Sequence, residues 1–215
     1  MTNYKRQTDL FNPADYQDVN VVIVGLGNIG SHTAVALARM GISKFTLVDF
    51  DIVEGHNIAS QAYYFGHAQA ETLKVDALET LILNVNPNAT IIKKAQSFQT
   101  ANVYINENTI LVCAVDSMST RYEICDMIEN TGVMVFDGRM GGGQVEVHAQ
   151  YAKDWRATLT HDADTDPCSA RYISYTSYII AGLLTNTVKR YLCKERYTKR
   201  LVIHTNNYDI IKIMS

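Results

Sequence analysis

A glycine-rich turn between a buried strand and a helix restricts the possible folds of this chain most strongly. Residues 19–24 are mostly β-branched and, apart from Asn20, offer no polar face, which predicts a strand buried on both sides. A glycine-rich turn, residues 25–30, follows directly, and a helix is predicted from about Ser31 to Met40, where Gly41 ends it. This order is typical of the first strand and crossover helix of a parallel sheet.

The glycines of Gly25-x-Gly27-x-x-Gly30 have separate roles in such a turn. The first permits the tight turn, the second lets the backbone approach a phosphate, and the third lets helix and strand pack closely. A phosphate is favoured at the helix N-terminus by free N–H groups and the helix dipole. Asp49 ends the next predicted strand about 20 residues later, where a ribose-binding acid belongs. The pattern predicts a nucleotide site, and leaves open a nicotinamide cofactor, ATP, or a glycine turn that binds no nucleotide.

Short apolar runs alternate with helical patterns through most of the remaining chain. Strands are predicted over residues 44–50, 90–93, 109–115 and 133–136, and helices over residues 70–84 and 118–130. We therefore expect an α/β fold with a Rossmann-like, mostly parallel sheet flanked by helices.

The pattern changes in the C-terminal third. Residues 145–150 alternate apolar and polar side chains, which favours an antiparallel strand with one exposed face. A long apolar helix is predicted over residues 173–191. A hairpin is expected around Asn206-Asn207, because asparagine tolerates positive φ. Since no linker is evident, we expect one domain over residues 1–215, with a nucleotide-binding part at about 1–140 and a C-terminal lobe at about 141–215.

Composition excludes several classes of protein. With 47% hydrophobic and 19% charged residues, the chain is not disordered, and its net charge of −3 gives no support for a nucleic-acid partner. The polar N-terminus predicts no signal peptide, and we expect no membrane span, because the apolar runs are too short to cross a bilayer. The cysteines, Cys113, Cys125, Cys168 and Cys193, form no CxxC pair, so we expect no zinc and a reducing cytoplasm.

The segment Asp49-Phe50-Asp51-Ile52-Val53-Glu54-Gly55-His56-Asn57-Ile58 resembles the D-x-D-x-V-x-x-x-N-L signature of the ThiF/MoeB/HesA family. These are adenylating enzymes related to ubiquitin-activating enzymes. Further matches follow the family's order: Arg6-Gln7, Gln61, Lys74, Asn86-Pro87, Asp116 with Arg121, and Arg139-Met140-Gly141.

The resemblance implies an ATP- and Mg²⁺-dependent adenylyltransferase. Its substrate would be the C-terminal carboxylate of a ubiquitin-like or sulfur-carrier protein, or of a peptide, which becomes an acyl-adenylate while pyrophosphate leaves. A homodimer is implied as well, because the family's N-terminal arginine reaches the triphosphate of the other subunit. A family branch that dehydrates a modified tRNA nucleoside gains no support from the composition.

The family roles carry over onto individual residues. Asp49 would bind the ribose, Asp51, Asn57 and Gln61 would line the nucleotide pocket, Lys74 would contact phosphate, and Asp116 would hold Mg²⁺. The resemblance implies that Arg6 acts on the other subunit. Taken alone, Lys74 is also compatible with a solvated charge, Asp116 with a helix N-cap, and Arg6 with a frayed terminus.

One departure from the pattern bears on activity. Ser60 stands where the family has an arginine that helps to neutralise the triphosphate. Arg139 and Arg121 are candidates to replace that charge. Otherwise the chain is a non-catalytic family member that acts as a binding module or partner subunit for a ubiquitin-like protein. A third interpretation, an NAD-binding Rossmann protein, accounts for Asp49 but not for the remaining family matches.

Cys168 is the cysteine of greatest interest. Family members that pass the acyl group to a thiol place a cysteine in this general region, and a position before a predicted helix lowers a thiol pKa. Neighbouring carboxylates, Asp162, Asp164 and Asp166, oppose this by repelling a thiolate. Cys168 is therefore compatible both with a thioester nucleophile and with a structural cysteine.

Overall fold

A computed structural model describes residues 4–159 and 173–214. Cys168 and its acidic neighbours lie outside these residues. The strands are β1 (Asn20–Val24), β2 (Lys44–Val48), β3 (Thr90–Lys94), β4 (Thr109–Cys113), β5 (Met134–Gly141), β6 (Gln144–Tyr151), β7 (Thr198–His204) and β8 (Asp209–Met214). The helices are α1 (Asn28–Met40), α2 (Phe65–Gln69), α3 (Lys74–Val85), α4 (Met118–Ile128), α5 (Ala152–Trp155) and α6 (Ser174–Leu192), with short 3₁₀ turns at Pro13–Tyr16, Gly55–Ala59 and Arg156–Thr158.

The strands form one eight-stranded sheet in the order β3-β2-β1-β4-β5-β6-β7-β8. Pairs from β3 through β5 are parallel, and those from β5 through β8 are antiparallel. The predicted fold class, a Rossmann-like parallel sheet extended by antiparallel strands, is confirmed. In the described residues, no helix is long and apolar enough to cross a membrane.

Apolar cores cover both faces of the sheet. Val21 and Ile23 of β1 pack into a cluster that also contains Leu37 of α1 and Leu184 of α6. Val22, one position along, packs into a second cluster that includes residues of α4 and α5. Because successive strand residues point to opposite faces, this explains why residues 19–24 carry almost no polar side chains.

Helix α3 begins four residues later than the periodicity predicts, at Lys74 rather than at residue 70. The preceding backbone is engaged elsewhere: Val53 N donates to Thr72 O at 2.8 Å, and an isolated bridge joins Ile52 and Leu73. Glu71 adopts a φ of 49°, which helical periodicity does not reveal. Lys74 therefore lies in the first turn of α3, beside the segment that follows β2.

Two predictions for the C-terminal third are wrong in detail. Residues 145–149 of β6 are buried on both faces. Helix α6 packs against one face, and on the other face Glu146 is 8% and His148 is 2% exposed. The turn between β7 and β8 has its left-handed residue at Tyr208, with φ 61°, and not at Asn206 or Asn207. Both errors arise because cover and turn geometry depend on the tertiary structure.

Candidate nucleotide site

A cavity of about 430 Å³ lies at the carboxyl ends of the parallel strands. Ligands bind at this edge in open α/β sheets. The glycine turn forms one wall, and the segments after β2, β3 and β4 form the others. Of the predicted binding residues, the cavity is lined by Gly25, Gly27, Asp49, Asp51, Asn57, Gln61, Lys74 and Asp116.

The glycine turn has the geometry expected of a phosphate-binding loop. Gly25 has φ +84°, and a Cβ there would lie 2.7 Å from Ala114 O. A Cβ on Gly30 would lie 1.9 Å from Gly25 O, so this glycine allows the close packing of turn and helix. At Gly27, the nearest atom to a Cβ would be Gln61 Nε2 at 3.9 Å. The backbone at Gly27 is thus open to the cavity, and Gly27 is also the N-cap of α1.

Asp49 holds the glycine turn against the end of β2. Its carboxylate accepts from Leu26 N at 2.7 Å and from Asp51 N at 2.8 Å. Burial raises the pKa of Asp49, although Lys74 and these backbone donors oppose the change. Since a carboxylate accepts several hydrogen bonds, Asp49 retains capacity for hydroxyl donors in the cavity.

Lys74 and Asp51 form an ion pair in the wall of the cavity. The distance from Lys74 Nζ to Asp51 Oδ2 is 2.7 Å, and Lys74 N donates to Asp51 O at 2.9 Å. The Lys74 side chain is 9% exposed and that of Asp51 is 51% exposed. The structure therefore places Lys74 at the cavity, and the interpretation of it as a solvated charge is wrong.

Two buried polar atoms on the cavity wall have no hydrogen-bond partner within the described residues: Asn28 Oδ1 and Gln61 Oε1. Buried acceptors without partners are costly and call for an explanation. Hydroxyl and amino groups of a nucleotide would supply such donors, while α1 and Lys74 favour its phosphates. The residues that line the cavity therefore fit a nucleoside triphosphate.

Asp116 follows β4 and is exposed at the cavity. The N-cap of α4 is its neighbour Ser117, whose Oγ accepts from Thr120 N at 3.3 Å, so the capping interpretation of Asp116 is wrong. The described residues contain no group of three or more metal-ligating side chains. Mg²⁺ needs only one or two carboxylates together with phosphate oxygens, and Asp116 fits that requirement.

Arg6 is exposed and does not line this cavity. Its neighbour Gln7 donates through Nε2 to Met40 O at 2.5 Å, at the C-terminal end of α1. The cavity lies at the other end of this 13-residue helix, about 20 Å away at 1.5 Å per residue. The structure thus separates Arg6 from the cavity of its own chain.

Neither arginine proposed to replace the missing charge reaches the cavity. Arg121 Nε donates to Asp137 Oδ1 at 3.1 Å, and Arg139 Nη2 donates to Asp137 Oδ2 at 2.6 Å. Trp155 Nε1 also donates to Asp137, at 3.0 Å. Burial favours the neutral acid, yet the two guanidinium groups hold the pKa of Asp137 well below its usual range. This prediction is wrong, because both arginines neutralise a buried carboxylate instead.

Several cavity residues were not predicted. The segment after β3 contributes Gln96, Ser97, Phe98 and Gln99, and others are Asn28, His56, Val115, Thr120 and Met140. Carboxyl ends of parallel strands meet at one sheet edge, so the residues after β3 were open to prediction from this rule. His56, in the segment after β2, and Met140, near the carboxyl end of β5, lie within the quoted family motifs and were open to prediction in the same way. Among the described lining residues, only Lys74 and His56 can carry a positive charge.

Comparison with known proteins identifies the family. The model of the ThiF family matches residues 4–214. The chain belongs to the ThiF family. The resemblance that the motifs indicate is thereby confirmed.

Among ThiF relatives, ubiquitin-like modifier-activating enzyme 5 of Xenopus laevis is 27% identical over 217 residues, covering 87% of this chain and 54% of that protein. The SAMP-activating enzyme E1 of Haloferax volcanii is 26% identical over 120 residues, covering 55% of this chain and 44% of that protein. The chain therefore spans about half the length of these relatives.

Solved structures show the same fold. A crystal structure of E. coli MccB with AMPCPP and MccA superposes with a TM-score of 0.75 at 18% identity. The match covers 94% of this chain and 65% of that chain. At 18% identity, this similarity shows a shared fold, that is, the same arrangement of helices and strands.

Proposed function

We propose that this chain is an ATP-dependent adenylyltransferase that activates the C-terminal carboxylate of a ubiquitin-like or sulfur-carrier protein, or of a peptide, as an acyl-adenylate. The observation that carries the proposal is one cavity that joins an open glycine turn at a helix N-terminus with Lys74, Asp49 and Asp116. Membership of the ThiF family, activating enzymes among the relatives, and the MccB complex with AMPCPP and MccA support it.

In the proposed reaction, a carboxylate oxygen attacks the α-phosphorus of ATP, and the bond to the pyrophosphate leaving group breaks. Two anions must approach each other, so positive charge fixed at the phosphates is the main catalytic requirement. The N-terminus of α1 and the Lys74 ammonium provide such charge. Because an ammonium has three donors, Lys74 can contact phosphate while it stays paired with Asp51. Asp116 would hold Mg²⁺, which neutralises phosphate oxygens, and Asp49 would accept from the ribose hydroxyls.

The test is exchange of label between pyrophosphate and ATP. The acceptors to supply are any short proteins ending in Gly-Gly that a search of the adjacent reading frames finds. Asp116→Ala should abolish the exchange, whereas the matched variant Asp126→Ala, on the exposed face of α4, should retain it. Exchange that survives Asp116→Ala would contradict the metal role.

We further propose that the active form is a cytoplasmic homodimer in which Arg6 completes the site of the other subunit. The separation of Arg6 from its own cavity supports this. Neither Arg6→Ala nor Asp116→Ala should be active alone. A mixture that is first dissociated and then reassembled should recover about a quarter of wild-type activity, because random pairing leaves one intact site in half of the dimers. No recovery would contradict the shared site.

A non-catalytic role is the second candidate, and one observation favours it. Ser60 replaces the family arginine, and no arginine lines the cavity within the described residues. Titration calorimetry with ATP and Mg²⁺ distinguishes the two. Binding supports the enzyme, and absence of binding supports a module that recognises a ubiquitin-like protein without activating it.

A further inference from the structure

A short segment that follows the 3₁₀ turn Gly55–Ala59 lies against the glycine turn. We name residues 60–63 the strap. Ser60 O contacts His32 Nε2 at 3.0 Å, and Ala62 N donates to Ser31 Oγ at 3.1 Å. Tyr63 OH donates to Leu26 O at 2.7 Å. The strap is therefore joined both to the glycine turn and to the first turn of α1.

The peptide groups of Leu26 are held from two directions. Leu26 N donates to Asp49 Oδ2, and Leu26 O accepts from Tyr63 OH, both at 2.7 Å. Tyr63 is 3% exposed, and burial raises the pKa of its phenol, which keeps the donor proton in place. These contacts fix the backbone between Gly25 and Gly27, whose shape determines where the N–H groups of the turn point.

Ser31 adds a second connection. Its hydroxyl donates to Gly27 O at 2.6 Å and accepts from Ala62 N in the strap. The carbonyl groups of both Leu26 and Gly27 are thus fixed by side-chain hydroxyls. Such second contacts orient the groups that touch a ligand, and they reduce the ordering that binding would otherwise require.

We propose that Tyr63 is a positioning residue for the nucleotide. It holds the glycine turn in its phosphate-binding shape before ATP arrives, and Ser31 supports the same shape. The inference rests on the proposed function, because the turn acts on phosphates. It also bears on the missing arginine: where Ser60 brings no charge, fixed backbone N–H groups carry a larger share of phosphate binding.

The test uses Tyr63→Phe, which removes the hydroxyl and keeps the ring. Its matched control is Tyr64→Phe at the next position, where the side chain is 65% exposed. Calorimetry gives the dissociation constant of ATP with Mg²⁺, and competition gives that of adenosine, which has no phosphate. We expect Tyr63→Phe to weaken ATP binding about tenfold, because Leu26 O loses its donor and the turn that contacts phosphate is no longer fixed. Adenosine has no phosphate, so its binding should weaken less than about twofold. Tyr64→Phe should match wild type for both ligands.

A purely structural role for Tyr63 would weaken ATP and adenosine binding equally, or neither, and either result would overturn the inference. If Tyr63→Phe does not fold, Ser31→Ala carries the same test with the same expected selectivity for ATP. Wild-type protein that binds no ATP would instead contradict the proposed function, so the two failures are distinguishable.

Discussion

At the scale of single residues, Lys74 owes its position to backbone contacts made before its helix begins. The bridge between Ile52 and Leu73 brings the first turn of α3 to the end of β2. The ammonium then lies 2.7 Å from a carboxylate oxygen of Asp51, in a wall that is otherwise acidic at Asp49 and Asp116. A lysine in this setting is held at the cavity whether or not phosphate is bound.

Lys74→Met tests this position. We expect pyrophosphate exchange to fall about a hundredfold, because the cavity loses a fixed cation where negative charge accumulates. The fold should tolerate the change, since methionine suits the buried stem and Asp51 is half exposed. The control is Lys93→Met, which removes a lysine paired on the surface with Asp76 and Glu79. Equal losses in both variants would contradict the assignment.

Most of the predicted binding residues line the cavity, because they follow strands or belong to family motifs. Sequence reasoning misassigned Arg139 and Arg121. Their partner, Asp137, is the last of four β5 residues, 134–137, that pair both with β4 and with β6. Arg139 lies two residues from Asp137 on the same strand, but the contact with Arg121 depends on how α4 packs on the sheet, which no local pattern expresses.

At the scale of elements, α1 and α6 contain glycines of opposite kinds. A Cβ on Gly30 would lie 1.9 Å from Gly25 O, whereas a Cβ on Gly182 would meet nothing within 4 Å. Gly30 is required because the glycine turn packs closely against α1. Gly182 is not required by packing, and as a glycine within a helix it favours the unfolded chain through its backbone entropy.

Replacement of each glycine by alanine should therefore have opposite effects. Gly182→Ala should stabilise the protein by about 0.5–1 kcal/mol, because alanine loses less backbone entropy in a helix. Gly30→Ala should destabilise it by about 1–3 kcal/mol through overpacking and should abolish ATP binding. Urea unfolding and calorimetry measure both. A Gly30→Ala variant that binds ATP normally would show that the turn can relax.

Element types were predictable from periodicity, but element ends were not. The start of α3 follows from contacts with the segment after β2, and the left-handed residue of the β7–β8 turn is Tyr208. For β6, the alternation of apolar and polar residues is real, yet the polar face is buried, and Glu146 and His148 are hydrogen-bonded to each other there at 2.8 Å. A buried polar face and an exposed one have the same sequence pattern.

At the scale of the whole molecule, Asp137 lies on β5, the strand shared by the parallel and antiparallel parts of the sheet, and links it to α4 and α5. It accepts from Arg121, Arg139 and Trp155, and all of these groups are buried. The carboxylate thus balances two guanidinium groups that have little or no contact with bulk water. Removal of the anion takes a buried charged partner away from both.

Asp137→Asn should lower the free energy of unfolding by about 3–5 kcal/mol at neutral pH. The control Asp126→Asn disrupts an exposed aspartate–arginine pair and should change little. Because the folded-state pKa of Asp137 is lowered, its contribution is present above the unfolded pKa of about 3.9 and is lost as the pH falls below it. The difference between wild type and Asp137→Asn in urea unfolding should therefore shrink in acid.

The interior position of β1, the third of eight strands in the sheet, also bears on where the molecule opens first. β2 and β4 pair with β1 along its whole length, while β3 and β8 are the two edges of the sheet. Fraying that starts at either edge has to pass other strands before it reaches the backbone that leads into the glycine turn. Amide hydrogen exchange should be fastest in β3 and β8 and slowest in β1 and β4. Opening at β8 can thus leave the glycine turn intact, whereas opening at β3 would loosen the cavity wall that residues 96–99 form.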